Sequence, residues 1–178
     1  MNQAAQKDAD PLVALARRTV ESYVRDRTLV EPEPLPGLEQ RRAGVFVSLH
    51  LPDGSLRGCI GTTQPTQPGV EQEIVRNAVS AATRDPRFYP VRPDELEGLD
   101  VSVDLLGEAE EVGGPEDLDP KRFGIIVQTA DGRQALLLPD LEGVETVDQQ
   151  VRISCRKGGI DPERDEYRIF RFEVERHH

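Results

Sequence analysis

This sequence of 178 residues contains no tryptophan, and aromatic residues make up only 4% of it. No apolar run approaches the roughly 20 residues that a membrane-spanning helix needs. The first ten residues contain no apolar segment, so we expect no secretory signal and a cytoplasmic protein. Hydrophobic residues amount to 37% and charged residues to 31%, which is typical of a globular chain long enough to bury a core.

An excess of basic charge is also missing. There are 22 Lys and Arg residues against 33 Asp and Glu residues, which gives a net charge of −11. Proteins that bind nucleic acids usually present a basic surface, because neutralising phosphates supplies much of their affinity. We therefore expect no nucleic-acid partner.

Cysteine and histidine, the usual ligands of transition metals, are scarce. The two cysteines, Cys59 and Cys155, do not form a Cys-x-x-Cys pair, and the three histidines are His50, His177 and His178. We therefore predict no metal site, and no disulfide in a reducing cytosol. No glycine-rich fingerprint for binding the phosphates of a nucleotide is present. The sequence therefore indicates no particular cofactor, and the cofactor is unknown. The terminal histidine pair is given no role.

The spacing of apolar residues predicts helices joined by β-hairpins, after a disordered start at residues 1–9. The helices are expected at about 11–29, 68–85 and 147–157. The hairpins and single strands are expected at 44–62, 124–139, 99–106 and 167–174. Because hairpins imply antiparallel pairing, this order predicts an α+β fold rather than a doubly wound parallel sheet.

The segment "LRGCIG", residues 56–61, places an arginine, two glycines and a cysteine in a predicted strand. Strand alternation would put Arg57 and Cys59 on one face, with Cβ atoms about 7 Å apart. A guanidinium there would lower the pKa of the thiol, which makes Cys59 a candidate nucleophile and Arg57 its stabiliser. Gly58 and Gly61 would leave backbone uncovered for a ligand. The alternative is that Cys59 fills the core, as free cysteines commonly do.

The turn of the first hairpin decides which residue faces Cys59. A loop of two residues would place Cys59 opposite Ser48, on a polar face with His50 as a candidate base. A type I turn with Pro52 and Asp53 at its centre, followed by a bulge at Gly54, suits the proline better. That turn would place Cys59 opposite Val47 in an apolar row. Both pairings are left open here.

A second candidate segment, "ATRDPRFYP" at residues 82–90, lies where the second helix breaks. It brings Asp85 close to Arg87, so Asp85 is a candidate base and Arg87 a candidate ligand-binding residue. The structural alternative is an ion pair at a helix end, with Phe88 filling the core.

Together these segments resemble the AMMECR-one domain family, also called protein A of the AmmeMemoRadiSam system. The resemblance is carried in order by "LRGCIGT", "DPRFYP" and "ELEGLDVSV", and it runs from about Leu12 to Glu175. It implies an α+β fold in which an antiparallel β-sheet is flanked by helices and accompanied by a smaller second lobe. The chain would then form a single domain at 10–178, with a cleft between its two lobes.

The resemblance also implies a functional focus at residues 57–61. We predict the following ligand-binding residues there and nearby: Gly58, Ile60, Gly61, Thr62 and Arg87. Relatives in bacteria and archaea are encoded with a Memo-like protein and a radical-SAM enzyme, which are therefore the expected partners. Our first hypothesis is a small-molecule binding or catalytic pocket that uses Cys59. The alternative is a non-catalytic protein-interaction module in which Cys59 is core packing.

Overall fold

The computed structural model describes residues 10–178, so the disorder predicted for residues 1–9 lies outside the described residues. The chain divides into two compact units. The first unit runs to Leu105 and takes in Arg176–His178, and the second unit covers Leu106–Glu175. The described residues form helices and two four-stranded antiparallel sheets, which confirms the α+β class.

The α-helices of the described residues are α1 (Pro11–Asp26), α2 (Val70–Thr83) and α3 (Val147–Lys157). The strands in the first half of the chain are β1 (Val45–His50), β2 (Leu56–Gly61) and β3 (Asp100–Leu106). The remaining strands are β4 (Glu110–Glu111), β5 (Gly124–Thr129), β6 (Gln134–Leu137), β7 (Tyr167–Phe172) and β8 (Val174–His177). Short 3-10 helices cover Pro93–Gly98 and Pro115–Asp117. No helix within residues 10–178 is long and apolar enough to cross a membrane.

In the first unit, the sheet has the strand order β2-β1-β3-β8. The side chains of β1 alternate, so that Val45, Val47 and Leu49 are buried, as the twofold period of a strand requires. These side chains share one hydrophobic core with buried residues of α1, α2 and β3. Asp10 caps α1, because its Oδ1 accepts a hydrogen bond of 2.9 Å from the Leu12 N–H.

Three helix boundaries differ from the expected ones, and one of them is the end of the second helix, which lies at Thr83 rather than at residue 85. The first helix ends at Asp26 rather than near residue 29, because Arg27 adopts a left-handed conformation with φ 58° and donates its N–H to the Tyr23 carbonyl. The second helix begins at Val70 rather than at Pro68, after the extended N-cap residue Gly69.

In the second unit, the sheet has the order β4-β7-β5-β6, and α3 packs against β5 and β6. A capping box begins α3, because the Thr146 hydroxyl accepts from the Gln149 N–H and the Gln149 side-chain oxygen accepts from the Thr146 N–H. Cys155 is fully buried in the core of this unit. The strand predicted at 167–174 is divided after Phe172, and β8 joins the first sheet.

Candidate functional site

The turn between β1 and β2 is the type I turn that suits its proline. Gly54 donates its N–H to the Leu51 carbonyl at 2.8 Å and adopts φ 83°. Leu51 in turn donates its N–H to the Ser55 carbonyl at 2.9 Å. The turn therefore has Pro52 and Asp53 at its centre, and it is followed by a bulge at Gly54, a conformation that only glycine adopts without strain.

The strand pairing, however, is the one expected from the other turn. Leu49 lies opposite Gly58 and His50 lies opposite Leu56, so the register shifts at Arg57. This β-bulge adds one residue to β2 and returns Cys59 to a position opposite Ser48 rather than Val47. The bulge also interrupts the alternation on which the common face of Arg57 and Cys59 depended.

The Cys59 thiol is half-buried and accepts a hydrogen bond of 3.2 Å from the Ser48 hydroxyl. Burial raises the pKa of this thiol, and the charges of Asp104 and Asp85 add to the increase. The hydrogen bond from Ser48 and the charge of Arg87 act in the opposite direction but do not outweigh burial. This direction is opposite to the lowering expected from Arg57, whose charge is not among the causes of the shift. The role of Cys59 as a nucleophile stays a prediction.

Arg57 is engaged elsewhere, and its side chain is only 12% exposed. Its Nε and Nη2 donate to the two carboxylate oxygens of Glu95 at 2.8 and 3.1 Å. Its Nη1 donates to the Tyr89 carbonyl at 3.0 Å. A forked arginine–carboxylate pair of this kind fixes geometry strongly. Arg57 thus holds the segment after α2 and the first 3-10 helix against β2.

Asp85 is brought to Cys59, but to its backbone rather than to its thiol. The Asp85 Oδ2 accepts a hydrogen bond of 2.9 Å from the Cys59 N–H. The same oxygen forms an ion pair with the Arg87 Nη2 at 2.7 Å. The same guanidinium lies 3.4 Å from the Cys59 carbonyl oxygen. The hydrogen bonds from the Arg87 side chain and from the backbone N–H groups of Cys59 and Arg87 hold the pKa of Asp85 well below its usual range.

The Asp85–Arg87 pair has a structural role, because β2 is an edge strand of the first sheet. The N–H and C=O groups of an edge strand need partners. The carboxylate of Asp85 and the guanidinium of Arg87 supply both at Cys59, as a neighbouring strand would. The two sequence segments are therefore joined through one backbone position.

The predicted bases are not placed beside the thiol. His50 lies opposite Leu56 and Asp100, two residues along β1 from the partner of Cys59. Asp85 is ionised but already saturated with donors. Within residues 10–178, no three His, Cys, Asp or Glu side chains form a group that could hold a metal ion.

At both glycines of the segment, the space that a side chain would take is occupied by other atoms of the protein. A Cβ atom on Gly58 would lie less than 3.0 Å from the Ala81 carbonyl oxygen of α2. A Cβ atom on Gly61 would lie less than 3.0 Å from the ring of Phe46. Gly58 is buried, whereas Gly61 is half-buried, so the uncovered backbone expected at both positions is absent at Gly58. Ligand binding by this strand stays a prediction.

The last two predicted ligand-binding residues take part in packing. Ile60 is partly buried and packs against the core of the first unit. Thr62 donates its hydroxyl to the Glu73 Oε1 at 2.8 Å and its N–H to the Val45 carbonyl at 3.0 Å. Both roles tie the end of β2 to the elements around it.

Glu73, which the sequence reasoning missed, organises the loop after β2. Its side chain is almost fully buried, and its oxygens accept hydrogen bonds of 2.7 to 2.8 Å from Thr62, Thr66 and Gln67. Burial acts to raise the pKa of Glu73, but these hydrogen bonds outweigh it and the pKa is lowered. The signal was present, because Glu73 lies one turn after Val70 on the apolar stripe of α2.

An open pocket of about 570 Å³ lies over the corner after α2. We call it the Tyr89 pocket, and it is lined by Arg57, Pro86, Arg87, Phe88 and Tyr89. The Phe88 ring centre lies 5.9 Å from the Arg57 guanidinium and 5.4 Å from that of Arg87. The Tyr89 side chain is 91% exposed. Because both arginines are paired with carboxylates, the pocket presents aromatic surface and little net charge.

Comparison with known proteins identifies the family. The family model AMMECR1 matches residues 13–177. A Thermotoga maritima protein is 52% identical over 169 residues, which cover 94% of this chain and 97% of that protein. A Methanothermobacter thermautotrophicus protein is 37% identical, with 94% of this chain and 92% of that protein covered. The chain therefore belongs to the AMMECR1 family, as the resemblance predicted.

Two further matches concern length and fold. The chain is 44% identical to the Clostridium acetobutylicum protein CA_C1420, which it matches over 98% of its own length but only 37% of that protein. The crystal structure of the uncharacterized protein PH0010 from Pyrococcus horikoshii superposes with a TM-score of 0.84 at 31% identity. That match covers 93% of this chain and 88% of the other.

Proposed function

We propose that this AMMECR1-family protein is a non-catalytic binding module whose docking surface is the Tyr89 pocket. The observation that supports this proposal is the 91% exposure of Tyr89 on a corner whose backbone is held in place. Tyrosine and arginine are enriched among the residues that dominate protein–protein binding energy. The exposed ring is therefore an anchor for a partner.

The hydrogen bonds around the corner make it rigid before binding. Arg57 donates to the Tyr89 carbonyl at 3.0 Å, and Phe88 donates its N–H to the Asp85 carbonyl at 3.1 Å. Val91 donates its N–H to the Ala82 carbonyl of α2 at 2.8 Å. A surface that is already ordered loses less conformational entropy when a partner binds.

The partners we propose are the Memo-like protein and the radical-SAM enzyme that the family resemblance implies, in the cytoplasm. A nucleic-acid partner is disfavoured by the net charge of −11. The segment "LRGCIG" then supports the docking surface from below through hydrogen bonds. Arg57 holds Tyr89, and the backbone of Cys59 holds the Asp85–Arg87 pair.

A small-molecule or catalytic pocket at Arg57–Gly61 is the second candidate, and the partial exposure of Cys59 favours it. The raised pKa of the thiol disfavours nucleophilic chemistry. A nucleophilic cysteine is usually paired with a histidine, whereas His50 lies opposite Leu56. We therefore rank binding without catalysis first.

The test uses the Memo-like and radical-SAM proteins encoded together with a protein of this family. Each is titrated by calorimetry with the whole protein, with its Tyr89→Ala variant and with a Leu29→Ala variant. Tyr89→Ala should weaken binding to at least one partner by about thirtyfold, because a hot-spot side chain contributes roughly 2 kcal/mol or more. Leu29→Ala is the control, since Leu29 is the other large exposed hydrophobic residue of the described chain. Equal binding by Tyr89→Ala and the unmodified protein would contradict the proposal.

A further inference from the structure

A second pocket of the first unit shares no residue with the Tyr89 pocket. It has a volume of about 660 Å³ and lies between the outer face of α2, Tyr23 of α1 and the extended segment 29–32. We call it the α2 groove. Its volume falls within the roughly 300–1,000 Å³ typical of small-molecule sites, and no step of the proposed function uses it.

The floor of the α2 groove is apolar. It is formed by Leu29 and Val30 on one side and by Val75 and Val79, one turn apart on α2, on the other. Leu29 is 61% exposed, and it lines the groove together with Val30, Val75 and Val79. A concave, mainly apolar lining with a few charged groups is the usual composition of a small-molecule site.

The wall of the groove carries two arginines that have no carboxylate partner. Arg76 and Arg84 line the groove, eight residues and thus about 12 Å apart along the α2 face. Arg76 reaches only the Thr66 hydroxyl, at 3.5 Å, and neither arginine forms an ion pair within residues 10–178. Arg57 and Arg87, by contrast, are each paired with a buried or half-buried acid.

Acidic charge in the groove is small. Glu31 is the acidic residue of the lining, so the two arginines leave the groove with a net positive charge on a chain whose total charge is −11. An apolar floor beside unpaired guanidinium groups complements a molecule with a hydrocarbon chain and an anionic head.

We infer that the α2 groove binds an aliphatic carboxylate. The hydrocarbon chain lies over Leu29, Val30, Val75 and Val79, and the carboxylate pairs with one guanidinium group of the α2 wall, that of Arg76 or that of Arg84. A ligand without charge would leave the arginines unused, and a cationic ligand would be repelled by them. The inference is independent of the proposed protein-docking role of the Tyr89 pocket.

The test titrates decanoate, below its micelle concentration, into the whole protein by calorimetry. Decyltrimethylammonium, which has the same chain length and the opposite charge, is the matched probe. The protein variants are an Arg76→Gln/Arg84→Gln double variant, Leu29→Asp and Tyr89→Ala, each checked by urea unfolding. Leu29→Asp changes an exposed side chain and so keeps the test valid if the double variant folds poorly.

We expect one decanoate per chain and a weaker response to decyltrimethylammonium. The double variant and Leu29→Asp should each weaken decanoate binding by about tenfold or more, because charge-assisted contacts and the apolar floor are lost. Tyr89→Ala should bind decanoate normally even where it loses its protein partner, which separates this inference from the proposed function. Equal binding of both probes, uptake of several equivalents without saturation, or unchanged binding by the variants would overturn the inference. A dimer in sedimentation that Leu29→Asp dissociates and decanoate does not would also overturn it, since a second copy would then cover the groove.

Discussion

Replacing Gly58 with alanine tests whether the glycine of "LRGCIG" is a packing residue or a ligand-binding residue. The new methyl group would lie less than 3.0 Å from the Ala81 carbonyl oxygen, a distance that real Cβ atoms essentially never show. Overpacking a core costs about 1–3 kcal/mol. Because the clash is with helix backbone rather than with a flexible side chain, we expect the upper end, about 3 kcal/mol.

The assay is equilibrium unfolding in urea, in which the midpoint should fall while the slope stays unchanged. Gly98→Ala is the matched control, since its nearest neighbour is a Pro52 side-chain carbon at 3.4 Å. That variant should stay within about 0.5 kcal/mol of the unmodified protein. A Gly58→Ala variant as stable as the unmodified protein would refute the packing account and return the glycine to the ligand-binding hypothesis.

Two further predictions concern buried carboxylates. Glu73→Gln should cost about 2–3 kcal/mol and accelerate amide exchange at Thr66 and Gln67, because an amide group would face donors that need an acceptor. Unchanged exchange would contradict this. Asp85→Asn should cost about 2 kcal/mol, less than a fully buried pair, since the Arg87 side chain is 54% exposed. The folded pKa of Asp85 lies below the unfolded value of about 3.9, so its stabilisation is present above that pH and is lost as the pH falls through the folded pKa. Urea unfolding at decreasing pH should show a smaller loss for Asp85→Asn, and equal losses would contradict the assignment.

Most helices and strands could be predicted from the sequence because the patterns that indicate them are local. The stripe of α2, the capping box of α3 and the turn residues of both hairpins depend on neighbours a few positions away. The boundary of β8 was not readable, because Glu173 separates two strands that enter different sheets. Only tertiary pairing distinguishes them.

Only part of the environment of Cys59 could be predicted, because the rest depends on contacts between distant positions of the chain. The turn centred on Pro52 and Asp53 could be deduced from the proline and from Gly54. The compensating bulge at Arg57 could not, because it follows from the Arg57–Glu95 pair and from β2 pairing, which join distant positions. Asp104 illustrates the limit again. Nothing in the local sequence indicates that Asp104 is buried and accepts a hydrogen bond of 2.9 Å from the Arg176 Nε.

The alkylation rate of Cys59 tests most directly whether this site is catalytic. The rate with iodoacetamide is measured across neutral and alkaline pH, and peptide mass spectrometry separates Cys59 from the fully buried Cys155. We predict slow reaction at neutral pH, a midpoint above the ordinary thiol pKa of about 8.5, and no upward shift of that midpoint in Arg57→Ala. Fast reaction with a midpoint well below 8.5 or so, raised by Arg57→Ala, would contradict the account and make Cys59 an activated nucleophile.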